Sequence, residues 1–460
     1  MHSFFMQRTV GRTLATITVV LLPVLAGCGG GEIDSDPATA SSQGNIGLEG
    51  RAQALSASPS ALDTAQPDSA SVFGPAAGTT EAQKFGSPTG MQGDLFGLSV
   101  AANGSNIVVG ATQQSLFRLF TNTTGSAYVF DAAGVFVREL VPASPTERRR
   151  NDAYGSAVAA SGSLIAVGSP RAADVGSSAG EVFIFNAQTG AQLAKLVPTG
   201  TRRNPADFAL FGSAVDASAD RIVVGAPGTF GNGGGRIGGV GAIYLYDANT
   251  RRLITRVIPQ GAQPKDNVGT SVAVDGNTVV AGAPFDSSAA QEAGAVYGFN
   301  ASNGSVRFKL TASDAGASDR FGFAVSTSGG LIAVGAPFDD DRGSASGSVY
   351  IFNATTGAFL RKIVASDGES GDQFGISVDL VGDKLAVGAW GDNGGAGSTY
   401  VFDVTTGAQV GKLVASDAAP SDILGRSVAI SNSDVIAGAP RDADRGTDSG
   451  SVYRFGLPTP

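Results

Sequence analysis

The 460-residue chain carries 31 lysine and arginine residues against 40 aspartate and glutamate residues, a formal net charge of −9. An acidic balance of that size disfavours nucleic acid and anionic lipid surfaces as partners, since both would be repelled. With 66 glycines, 15% charged and 42% apolar residues, the composition suits a turn-rich β domain with a sizeable core.

Residues 1–27 read as a targeting segment. Arg8 and Arg12 supply a positive start, and Leu14 to Leu25 an apolar core too short to span a bilayer comfortably. Leu25-Ala26-Gly27-Cys28 follows and looks like a bacterial lipobox, which implies cleavage before Cys28 and lipidation of its thiol. The alternative is an ordinary signal peptide with an incidental cysteine. Cys28 is the single cysteine, so no internal disulfide can form. Gly29 stands where an aspartate would, in enteric-type sorting, signal inner-membrane retention. The expectation is an outer-membrane lipoprotein of the bacterial cell envelope, facing the periplasm or the cell surface. Residues 28–79 are rich in Gly, Ser, Ala, Pro, Asp and Gln, with no aromatic before Phe73. Such a segment cannot bury enough apolar surface to offset its ordering entropy, and it reads as a disordered tether.

Residues 80–457 are variants of one unit, clearest at 321–352 as FGFAVSTSGGLIAVGAPFDDDRGSASGSVYIF. Its first marker, an apolar residue before glycine, recurs at Phe96-Gly97, Tyr154-Gly155, Phe211-Gly212, Val268-Gly269, Phe321-Gly322, Phe374-Gly375 and Leu424-Gly425. A Val-Gly-Ala-like second marker follows each, as at Val334-Gly335-Ala336, and a third resembles GSVYIF of 347–352. Periods of roughly 40–50 residues holding several short strands are the signature of propeller-type arrays.

Each unit offers four strands. FGFAVST alternates, LIAVGA is a continuous apolar run, and GSVYIF is β-branched and aromatic. Fourth strands are expected at Val137–Leu140, Ala194–Val197, Ile254–Ile258, Arg307–Thr311, Leu360–Val364 and Val410–Val414. The seventh unit ends without one, and Ala82 to Ser87 aligns with Leu360 to Ala365. This N-terminal stretch is therefore expected to complete the last sheet and close the ring, removing an exposed edge.

The order FG-x-[SA]-V, [VA]-G-A-P, G-[SA]-[VA]-Y-x-F resembles the FG-GAP repeat family. It is similar to the seven-bladed propeller at the head of integrin α chains and to bacterial and archaeal relatives. The resemblance covers about residues 82–456. It implies an all-β, seven-bladed propeller of four-stranded antiparallel blades that binds from the face bearing its 2–3 loops. The sequence agrees on the face: the 1–2 and 3–4 turns are short, while the 2–3 loops are long and variable, and binding usually lives on such loops.

Several residues of that face are binding candidates. Leu116, Phe117, Leu119 and Phe120, with Arg118 among them, are either an exposed apolar anchor or a lid packed over the ring. Gly231 to Gly239 lacks the Lys-Ser/Thr of a phosphate loop and reads as a spacer. Trp390 is either a stacking platform or a wedge between blades. Arg148, Arg149, Arg150, Arg202 and Arg203 beside blades 2 and 3, and Asp367, Glu369, Asp372, Asp417 and Asp422 around blades 5 to 7, could orient a partner by charge or be solvated loop charge.

An aspartate three residues before the repeat glycine in six units is expected to accept a backbone N–H. Family members often hold calcium in a D-x-D-x-D-G loop between the first two strands. Here that connection is a tight turn, and Asp216-Ala217-Ser218-Ala219-Asp220 lacks the glycine and closing acid. Calcium then has two other candidate places: Asp339, Asp340 and Asp341, and Asp442, Asp444 and Asp448, interrupted by Arg342 and Arg445. No other cofactor is expected. The single histidine, His2, would leave with the targeting segment, which removes histidine-based catalysis and metal sites. The expected function is a non-catalytic, monomeric, lipid-anchored binding or adhesion module for a protein or glycan. The alternatives are a carboxylate-based polysaccharide hydrolase or lyase and a structural scaffold of the envelope.

Overall fold

In a computed structural model, residues 79–460 are described except 113–123, 145, 146, 148, 150, 199–207, 230–238, 432, 459 and 460. The targeting segment, Cys28, the tether, Leu116, Phe117, Arg118, Leu119, Phe120, Arg148, Arg150, Arg202 and Arg203 lie outside the described residues, as does the spacer loop short of Gly239.

Apolar runs such as Leu331–Ala336 and Ser348–Asn353 become strands covered on both faces, because each sheet is sandwiched between two others. In blade 5 the order from the axis outward is Ala324–Ser328, Leu331–Ala336, Ser348–Asn353 and Phe359–Ile363, all antiparallel. Seven such sheets recur. Their inner strands touch in sequence, and the last, Ser427–Ser431, meets the first, Ser99–Ala102. The fourth strands begin a residue or two before the expected points, at Phe136, Gln192, Leu253, Val306, Phe359 and Gln409. Most of those starting residues are solvent-facing at the rim, so apolar periodicity did not mark them.

The core is divided among the blade junctions. Seven apolar clusters each span two neighbouring sheets, for example Val280 and Val296 of blade 4 with Phe321, Val334 and Tyr350 of blade 5. The phenylalanine of the first marker sits edge-on to the strand-3 aromatics: Phe321 lies 5.3 Å from Tyr350 and 5.8 Å from Phe352. Such pairs add roughly 0.5–1.5 kcal/mol beyond area burial.

The repeat glycines let backbones of adjacent blades touch. A Cβ on Gly335 would stand 2.0 Å from the Gly375 carbonyl oxygen of the next blade, and one on Gly438 2.0 Å from that of Gly97. Gly375 itself has φ +92, a conformation glycine adopts freely. Gly347, opening strand 3, forms a parallel bridge to Phe374 of the next blade. Each marker is thus one side of a glycine-to-glycine seam. The residue before each marker is left-handed without being glycine: Leu95, Ala153, Leu210, Asn267, Arg320, Gln373 and Ile423 have φ between 52 and 61. Sevenfold recurrence makes this strain architectural rather than a mark of one site.

The N-terminal strand closes the ring. Gln83–Gly86 pairs antiparallel with the seventh third-strand, Lys84 opposite Tyr453 and Phe85 opposite Val452. Phe85 also packs on Phe130 of blade 1, ring centroids 4.8 Å apart. The chain reaches this position by one further pairing absent from the sequence reading: Thr79–Thr80 lies parallel to Leu413–Val414 as a fifth strand of blade 6.

Candidate functional site

The two faces of the ring are built differently. On one, Asn or Asp closes each 3–4 turn on itself: Asn353 Oδ1 accepts from the Thr355 and Thr356 N–H groups at 2.9 Å, and Asp403 Oδ1 from those of Thr405 and Thr406 at 3.0 Å. These short side chains are used up holding turns. The opposite face carries the 2–3 loops and the connections between blades. There the aspartates before the repeat glycine do what their spacing suggested, each accepting from the N–H three residues earlier: Met91→Asp94, Arg149→Asp152, Gln263→Asp266, Gly316→Asp319, Glu369→Asp372 and Ala419→Asp422.

An outer ring of lysines organises the remaining carboxylates. In blade 5 the Lys362 ammonium lies 2.7 Å from Asp314, 3.0 Å from Asp339 and against Asp341, and 5.0 Å from the Tyr350 ring centre. The Tyr350 hydroxyl lies 2.7 Å from Asp314 and 2.8 Å from Asp339, with its one proton to donate to either carboxylate. Blade 7 repeats this with Lys84 on Asp417, Asp442 and Asp444, and the Tyr453 hydroxyl within hydrogen-bond reach of Asp417 and Asp442. Lys412 with Asp367 and Asp392, Lys309 with Asp286, and Lys195 with Asp174 and Glu181 are the corresponding groups of blades 6, 4 and 2. Blade 3 places Arg256 over Tyr244 instead, and blade 1 sets Glu139 opposite Tyr128. Asp314, Asp367 and Asp417 each belong to the connection from the preceding blade, so the groups of blades 5, 6 and 7 each tie two blades together.

This arrangement bears directly on calcium. The carboxylates of Asp314, Asp339 and Asp341, and those of Asp417, Asp442 and Asp444, do converge within 4.8 Å. In both groups the chain's own ammonium sits at the point of convergence, so these residues do not fit a resident metal ion. Asp340 takes no part: its Oδ1 accepts from the Ala345 N–H at 2.7 Å. Asp448 belongs to neither group, and its carbonyl accepts from Leu95 N–H. Arg342 and Arg445 turn aside to the carbonyls of Ser366 and Ser87. Asp216 and Asp220 do not converge either, the former accepting from Val274 N–H and the latter pairing with Arg221. Burial alone would push the Asp417 carboxyl up, but hydrogen bonds from Lys84 and Tyr453 outweigh it and hold it low. Burial likewise opposes the Lys362 charge, and its three carboxylates hold the ammonium above its ordinary range. Replacing Lys362 by Met should leave Asp339, 3% exposed, without its cation and cost about 3–5 kcal/mol. Millimolar calcium should then raise the variant's melting temperature while leaving the wild type unmoved; a calcium-dependent wild type would refute the lysine assignment.

Several acids titrate above their ordinary values. Burial pushes Glu181 and Asp216 up to about 7 and Asp266 to about 6. A carboxyl whose folded value is raised holds its proton more tightly when folded. Its contribution is complete below the unfolded value near 4 and is lost as pH rises through 6–7. The lysine-held Asp314, Asp367 and Asp417 act oppositely, losing their contribution as pH falls below about 4. Stability should therefore peak at about pH 4–5, decline until about pH 7 and level off beyond it, measurable as melting temperature across that range. A maximum at pH 8 would contradict the burial argument, and Glu181→Gln should flatten the slope.

Nearer the axis, the loop face of blades 4 to 7 carries half-buried aromatics and arginines. Arg320 lies 4.1 Å from the Phe285 ring centre and pairs with Glu292. Phe323 meets Phe338 edge-on at 6.5 Å. The indole N–H of Trp390 donates to Gln373 Oε1 at 2.6 Å, and the Arg426 guanidinium sits 5.5 Å from its ring centre. Trp390 thus sits at the junction of blades 6 and 7, as the wedge alternative expected, and remains half-buried. Arg320 and Arg426 escaped notice because each is a single arginine in a variable position of the repeat. The lysine ring was legible: Lys-x-x-Ala-Ser-Asp recurs at 309–314, 362–367 and 412–417.

The FG-GAP repeat matches residues 79–130, 144–185, 252–299, 305–352, 359–402 and 408–455. Each of these stretches ends on a third strand, and the first contains the closing strand Gln83–Gly86. No curated protein matches the chain.

Proposed function

The chain belongs to the FG-GAP repeat family, and from that footing we propose that it is a non-catalytic binding or adhesion module. It recognises a protein or glycan through the loop face of the propeller and is held in the bacterial envelope by a lipid on Cys28. The observation that carries the reading is the contrast between faces. One face spends its polar groups on its own turns, whereas the other holds Phe285, Phe323, Phe338 and Trp390 half-open on consecutive blades, and the third-strand marker asks for none of them. Half-exposed aromatics beside arginines are the usual anchors of recognition surfaces. Against a hydrolase, the buried loop-face acids Asp286, Asp339, Asp392 and Asp442 are each bound to a lysine, so these four are held in ion pairs instead of standing free as a catalytic pair.

The test compares faces. Full-length protein should retain partners from an envelope extract, and Phe285→Ala or Phe338→Ala should weaken capture about tenfold or more, whereas Asn277→Ala on the turn face should not. Equal capture by all would overturn the assignment of the face. For the anchor, Cys28→Ala should move the protein from the membrane to the soluble fraction; unchanged membrane association would refute lipidation there.

A further inference from the structure

We propose that Arg426 is the anchor point of the loop face, a guanidinium held open at the mouth of the ring for a single carboxylate of a protein partner. The inference rests on the loop-face reading and names the chemistry of the ligand.

Arg426 directly precedes the inner strand Ser427–Ser431 of blade 7, where the inner strands gather around the axis. The other blades place Leu98, Ser156, Ser213, Thr270, Phe323 and Ile376 at this position. No other blade puts a charge there, so the repeat itself does not require one. The guanidinium packs over Trp390, whose indole is fixed by Gln373. Among the described residues no carboxylate or carbonyl accepts a hydrogen bond from it. Only its backbone N–H is engaged, with the Ile423 carbonyl.

The loop-face lysines are in the opposite condition. Lys84, Lys195, Lys309, Lys362 and Lys412 are all spent on internal carboxylates. A desolvated charge without a counter-charge is unfavourable, and burial accordingly lowers the pKa of Arg426. A guanidinium is also the side chain whose planar fork best matches a carboxylate. An incoming carboxylate would supply the counter-charge that the fold leaves out beside this half-buried guanidinium.

The surroundings decide between partners. On blades 5 and 7 the rim carries exposed carboxylates at Asp340, Asp341, Asp417 and Asp444, and the neighbouring Arg342 and Arg445 are turned to backbone carbonyls, on a chain of net charge −9. A polyanionic glycan laid across this face would meet that rim and be repelled. One acidic side chain flanked by basic ones is complementary to a central cation inside an acidic rim. That pattern belongs to a protein segment.

Trp390 is the only tryptophan, so its emission reports on this site in the full-length protein. Titration with the capped tripeptide Lys-Glu-Lys should give a saturable emission change. Capped Lys-Gln-Lys should bind about tenfold more weakly or worse, and Arg426→Gln should abolish the difference between the two peptides. Because Arg426→Gln removes an uncompensated charge, its melting temperature should be equal to or above that of the wild type, which a structural arginine would not allow. The proposal falls if neither peptide changes the emission, if both do so equally, or if Arg426→Gln lowers the melting temperature. A response to oligogalacturonate without one to Lys-Glu-Lys would replace the protein partner with an acidic glycan. Partner capture that depends on Phe338 but not on Arg426 would leave the loop-face function standing and remove the anchor.

Discussion

Removing residues 79–90 is expected to abolish cooperative folding or to lower the melting temperature more than any point substitution. The segment supplies the outer strand of blade 7, paired along Gln83–Gly86, and its loss exposes the edge of Ser451–Gly456. It also supplies Lys84, whose removal strands Asp442, 2% exposed, beside Asp417 and Asp444. Breaking one such buried group costs about 3–5 kcal/mol, against a total stability of about 5–15 kcal/mol for a native domain. The loss of Phe85 from the Phe130 contact adds to this. Lys84→Met in the full-length chain separates the two contributions: it keeps the strand and removes only the cation. A truncated protein that melts like the wild type would show that the ring closes without its N-terminal strand.

The second large effect is expected at the glycine seam. Alanine at Gly388 would bring its Cβ to 1.9 Å from the Gly425 carbonyl oxygen, and at Gly335 to 2.0 Å from that of Gly375. No side-chain rotation relieves a contact between two backbones, so the blades must separate. Overpacking of this kind costs about 1–3 kcal/mol and more where nothing can yield, and the seam belongs in the upper range. Gly456, whose added Cβ meets nothing within 4 Å, is the matched control and should tolerate alanine at no cost. Chemical denaturation of the three variants measures both; equal midpoints for Gly335→Ala and Gly456→Ala would refute the seam.

Why so much of this fold could be read from residues follows from the same seam. Glycine at 97, 110 and 125 is demanded by backbone approach, and the demand recurs with every blade, so the markers stand out without any knowledge of the sheets between them. The closing strand was legible because Lys84 and Phe85 align with Lys362 and Ile363. The parallel pairing of Thr79–Thr80 was not, since two residues carry no periodicity. The acidic loops misled in a specific way. Asp339 and Asp341 have the spacing of metal ligands, but the cation they meet comes from Lys362 on another strand, and Asp442 meets Lys84 from the far end of the chain. The acidic loops themselves carry no trace of these lysines, which stand elsewhere in the chain; only the recurring Lys-x-x-Ala-Ser-Asp points to the lysine ring. Arg426 was invisible for the converse reason: its meaning lies in a partner it lacks.

The most direct test of the ring is amide hydrogen exchange in the full-length protein. The amides of Gln83–Gly86 that bond to Ser451–Gly456, every second one along this outer strand, are expected to exchange as slowly as those of Val452 to Phe455, because both sets open only when the whole propeller unfolds. Fast exchange at every amide of Gln83–Gly86 beside a protected Val452 to Phe455 would show that the last blade is completed by something other than the start of the chain.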